Sequence, residues 1–140
     1  MVRPMNGIYP PGLDDIEALA LAALETIPDP LRQHIDGVVI RVEDFPDEEI
    51  CRAMELESPF DLLGLYSGVS LDHEEAVAVR QDVNMIFLYR RPILDYWSET
   101  TEELGHLVRH VMIHEIGHHF GFSDDDMEAL ERLADERAGE

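Results

Sequence analysis

The segment His114-Glu115-Ile116-Gly117-His118-His119-Phe120-Gly121-Phe122-Ser123-Asp124 constrains this chain more than any other stretch. On a helix with about 100° between successive residues, His114 and His118 lie one turn apart and roughly 40° around the axis, so both imidazoles can converge on one metal ion. Glu115 falls roughly 60° from His118 on the same axis. It therefore sits beside such an ion, where a carboxylate can take a proton from a water bound to the metal. A third ligand has to come from beyond the helix end. Gly121 suits that break because glycine enters the left-handed conformation of a C-terminal cap at little cost, and Asp124 follows the turn. Asp125 and Asp126 compete for the same place, since a one-residue adjustment presents either, and each also puts favourable charge at a helix N-terminus. Glu131 and Asp135 offer the ExxxD spacing that follows HExxH in thermolysin-like enzymes, but only a short turn precedes them, which favours Asp124.

The full pattern, HExxHxxGxxD, resembles the zincin superfamily and, within it, the metzincin-type arrangement in which an Asp replaces the commoner third His. The wider match is to small bacterial zincin-like proteins in which HEIGHHFGFSDDDME, LLGLYSGV and IFLYRRPIL have look-alikes. That resemblance implies a Zn2+ held by His114, His118 and Asp124, with Glu115 as the general base of peptide-bond hydrolysis. Two departures stand out. Complete metzincins carry a methionine-containing turn well after the third ligand, whereas only 16 residues follow Asp124 and Met127 comes almost at once. The chain is also too short for a second lobe, so the substrate would be a small or loosely held peptide or protein, or the cleft would be completed by a partner protein. The competing class is a non-catalytic zinc-binding module for protein interaction. Glu115 argues against it, as does the absence of an obvious fourth protein ligand of the kind that closes structural sites.

Composition narrows the remaining choices. At 140 residues the chain suits one domain, large enough to bury a core without disulfides. Cys51 is the single cysteine, so no intramolecular disulfide can form and a reducing, cytoplasmic setting is expected. The formal charge is −21, from 31 acids against 10 bases that are all Arg. Such a surface repels polyanions, which argues against nucleic acid as a partner, and the lack of Lys removes Schiff-base chemistry. No apolar run reaches the roughly 20 residues of a membrane span.

Along the chain, residues 1–12 are rich in Pro and Gly and read as a flexible arm, with a single domain over 13–140. A first helix is predicted over 13–26, ended by Pro28, and a short one from Asp29-Pro30 to His34. Val38 to Val42 and Met85 to Tyr89 read as strands, the second stopped by Pro92. Asp47 to Met54 reads as a short helix, while Leu65-Tyr66-Ser67, between Gly64 and Gly68, is open between strand and loop. Thr100 and Glu103 form a capping-box pattern for a long helix reaching Phe120, and Ser123 with Asp126 repeats it for a final helix through Leu133. The fold class is thus α+β of minimal zincin type: a short two- to three-stranded sheet on a long HExxH helix, with N- and C-terminal helices. By family geometry Met85 to Tyr89 would be the sheet edge above that helix. His110 is read as an exposed or core-rim residue and His119 as structural. Tyr66, Tyr89 and Arg90 are candidate donors to an oxyanion.

Overall fold

The computed structural model describes residues 9–68 and 84–139. Helix α1 spans Leu13–Leu24 and α2 Asp29–Arg32; strand β1 spans Val39–Glu43, α3 Glu48–Ala53, a 3-10 turn Pro59–Asp61, and β2 Gly64–Ser67. Strand β3 covers Met85–Tyr89, followed by α4 Arg90–Trp97, α5 Leu104–His119 and α6 Asp124–Ala138. The result is the expected α+β class, with a three-stranded mixed sheet in the order β1-β3-β2. Strand β1 runs parallel to β3, with Val39 opposite Met85, and β2 runs antiparallel to it, with Gly64 opposite Leu88. The expected arm at 1–12 falls mostly outside the described residues.

Helix α5 is central. It packs against α1, β2, α4 and α6, which is why Leu104, Leu107, Val108, Val111, Met112, Ile113 and Ile116 are all buried. His106, His110, His114 and His118 form a polar stripe along it. Ile16, Ala20 and Ala23 form the inner face of α1, and Ile86 and Leu88 turn the same way from β3, alternating with the half-buried Met85 and Phe87. Gly64 lets β2 lie directly on α5: a Cβ there would stand 2.8 Å from Val111 Cγ1 and 3.1 Å from the Phe87 carbonyl oxygen.

Several expectations need correction. Among the described residues β3 is the central strand, so the antiparallel edge beside α5 is β2. Family geometry puts Met85 to Tyr89 at the edge, yet this apolar run suits the burial on both sides that a central strand needs. Pro92 does not end an element but opens one. Helix α4 starts at Arg90, and a proline in the first turn sacrifices no intrahelical hydrogen bond. Thr100 does not cap α5, which begins after Glu103 without a side-chain cap. Its hydroxyl instead donates to the Trp97 carbonyl at 3.0 Å and accepts from Glu102 N–H at 3.2 Å, closing the turn behind α4. The short helix expected over 47–54 is α3, and Asp47 caps it, its carboxylate accepting from Ile50 N–H at 2.8 Å. The open segment at 64–67 is strand.

Candidate metal centre

The end of α5 is a complete glycine-based cap. Phe122 N–H donates to the Gly117 carbonyl at 2.9 Å and Gly121 N–H to that of His118 at 3.2 Å. Gly121 takes φ +81°, the left-handed conformation such a cap needs. Ser123 then opens α6, its hydroxyl accepting from Asp126 N–H at 3.0 Å while the Asp126 carboxylate accepts from Ser123 N–H at 3.3 Å. This turn reverses the chain, so α6 runs back along α5. Contacts march down the seam from Gly117 with Met127, through His114 with Glu131, to Arg109 paired with Asp135.

His110, His114, Glu115 and His118 all line one open cleft of about 310 Å³, whose other walls are Asp61, Leu62 and Leu63 ahead of β2, Tyr96 of α4, and Leu107 and Val111. The His114 and His118 rings meet edge to face, their centroids 5.9 Å apart. Asp124 lies in the first turn of α6, almost fully exposed, with Oδ1 4.0 Å from His118 Nε2. Asp125 and Asp126 share that turn. Glu131, which the sequence reading set behind Asp124, reaches the stripe from the middle of α6: Oε2 lies 2.7 Å from His114 Nε2 and Oε1 2.8 Å from His110 Nδ1. Among the described residues, His110, His114 and Glu131 are the group of three whose ligand atoms all lie within 4.8 Å of one another.

Electrostatics follow from this placement. Burial raises the Glu115 carboxyl above its usual value, and His118 partly offsets the rise. Burial also raises Glu131, but the hydrogen bonds and charges of His110 and His114 outweigh it and hold this carboxyl below its ordinary range. The hydrogen bond to Glu131 in turn raises His110 against the opposing effect of its own burial. His119 turns away from the cleft to pack against Tyr66, with ring centroids 4.6 Å apart, and desolvation lowers its pKa. That placement is the structural one expected.

The candidate oxyanion donors lie in buried or occupied positions. Tyr66 and Tyr89 have buried hydroxyls without a hydrogen-bond partner among the described residues. Arg90 donates to the Pro11 carbonyl at 2.6 Å and to Asp44 at 3.1 Å. The walls formed by Asp61 to Leu63 and by Tyr96 were not signalled in the sequence. They belong to a turn and to an unexpected helix, and only the pairing of β2 with β3 brings the turn over α5.

An HExxH helix beneath an antiparallel strand, with imidazoles and carboxylates facing one cleft, defines a zincin-type fold. The chain belongs to the zincin-like metallopeptidase family, whose model matches residues 35–133, from just beyond α2 to well inside α6. No curated protein matches the chain. No helix among the described residues is long and apolar enough to cross a membrane.

Proposed function

We propose that the protein is a zinc-dependent peptidase that hydrolyses short or extended peptide segments. The observation that carries this reading is the shared cleft, in which both histidines of the HExxH motif and the intervening glutamate meet. The donor chemistry fits the metal, since zinc takes imidazole nitrogens and carboxylate oxygens and a catalytic site keeps one position open. His114 and His118 hold the ion, with Asp124 as the acid from the start of α6. Bound there, zinc supplies Lewis acidity toward a carbonyl and toward water.

Glu115 is the proton carrier. Its partly buried carboxylate takes the proton of the attacking water and hands it to the departing amine. Burial moves its pKa upward from the ordinary carboxylate value, in the direction that improves a general base working near neutrality. The outer edge of β2, unpaired among the described residues, aligns an extended substrate across the cleft by strand addition. Leu62, Leu63 and Tyr96 wall the cleft and limit water around the scissile bond.

The test is zinc content and peptide cleavage in the wild type and in Glu115→Gln. We expect one zinc per chain in both and a loss of hydrolysis in the variant of at least about a hundredfold. A fully active Glu115→Gln, or a wild type that binds no zinc after reconstitution, would refute the reading.

A further inference from the structure

We propose that His110, His114 and Glu131 form a second divalent-cation register on α5, one helical turn from the His114/His118 pair and exclusive of it. The antiparallel seam makes two registers unavoidable. Where α6 passes the His114/His118 interval it presents Met127, buried against Gly117, and its mid-helix acid Glu131 meets His114 beside His110. One turn further along, Glu131 arrives between His110 and His114, with oxygens 2.8 Å and 2.7 Å from their ring nitrogens. The two pairs thus draw on different acids: Asp124 beside His118, and Glu131 between His110 and His114.

The dimensions suit a transition-metal ion. Zinc–ligand bonds of about 2.0–2.2 Å put tetrahedral donors roughly 3.3 Å apart. The three groups offer atoms within 4.8 Å of one another, so small side-chain shifts reach that geometry. Two imidazoles and one carboxylate select zinc or a similar ion over magnesium or calcium, which prefer all-oxygen sites. His110 and His114 also line the open cleft, which gives an ion its path.

Exclusivity follows from His114, whose neutral ring offers one lone pair and serves one ion at a time. The two registers differ in their relation to Glu115. Around the helix axis Glu115 lies roughly 60° from His118 but roughly 140° from His110. An ion in the second register is therefore displaced from the base, so this register holds metal without presenting it for hydrolysis. The inference rests on the proposed zinc chemistry only through His114.

The experiment compares two double variants by zinc stoichiometry, chelator competition and the visible spectrum of the cobalt-loaded protein. His118→Asn/Asp124→Asn removes exposed side chains and keeps only the second register. His110→Ala/Glu131→Gln keeps only the first. We expect one ion per chain in the wild type and in each double variant, and different cobalt spectra for the two. Adding Glu131→Gln to the first variant should weaken its binding by more than about a hundredfold. The inference is overturned if the folded His118→Asn/Asp124→Asn protein binds no ion, or if its affinity ignores Glu131→Gln. The proposed function fails separately: a His110→Ala/Glu131→Gln protein that folds but binds no zinc removes the HExxH set while leaving the second register standing.

Discussion

Gly117 tests whether the α5/α6 seam is built as described. A Cβ at this position would collide with the Met127 thioether sulfur and stand 2.8 Å from Met127 Cγ, with Phe122 Cβ only 3.6 Å away. Met127 is fully buried, so its side chain cannot swing aside without displacing its neighbours. Gly117→Ala therefore overpacks the seam at a cost of about 1–3 kcal/mol, against a gain of about 1 kcal/mol in helix propensity. The net expectation is a loss of up to about 2 kcal/mol, or up to roughly 6 °C in Tm for a domain of this size. Urea and thermal unfolding followed by circular dichroism would measure it. A double-mutant cycle sharpens the test. Met127→Ala alone costs about 2–5 kcal/mol, but in that background the new methyl group has room, and Gly117→Ala should become neutral or stabilising. A Gly117→Ala protein more stable than wild type, or the same effect in both backgrounds, would refute the packing argument. The same displacement of α6 should weaken zinc binding, because this helix carries both Asp124 and Glu131.

Two further substitutions probe the surroundings. Tyr66→Phe removes a buried hydroxyl with no partner among the described residues and should stabilise the fold by about 1 kcal/mol near neutrality. Burial lifts this phenol from 10.0 to about 12. Because the folded pKa is the higher one, its contribution is fully present below pH 10 and is lost as pH rises toward 12, by roughly 2–3 kcal/mol. The stability gap between Tyr66→Phe and wild type should therefore widen over that window; a constant gap would contradict the burial of the hydroxyl. Ser123→Ala removes the hydroxyl that accepts from Asp126 N–H and should cost about 1 kcal/mol in urea denaturation, with no change in stability arguing that the cap is dispensable.

The elements that local chemistry determines were legible in the sequence. Met85 to Tyr89 was bounded correctly by its apolar, β-branched run, Asp47 was read near the start of α3, and the Gly121 and Ser123 signals located the turn between α5 and α6. What failed required partners distant in sequence. Thr100 and Glu103 have the spacing of a capping box, but the Thr100 hydroxyl was taken by the end of α4, a helix whose proline was read as a stop. The position of β3 could not be read from its composition, because central or edge placement depends on which strands pair on either side.

The site divides along the same line. His114, Glu115 and His118 follow from helical periodicity alone, and the structure gathers them in one cleft. The acid is a different problem, because several carboxylates follow the turn and sequence spacing ranks them by distance along the chain. Helix pairing ranks them by register. Once Gly121 and Ser123 fix a short reversal, each step up α6 matches a step down α5, which sets Met127 against Gly117 and carries Glu131 to His110 and His114. In the sequence a short connection argues against Glu131, provided that it must reach the ion shared by His114 and His118. The short connection instead brings it one turn earlier, to a histidine that the HExxH motif does not contain. Lengthening the 120–123 connection should therefore disturb the two metal registers together, whereas substitutions within α6 should separate them.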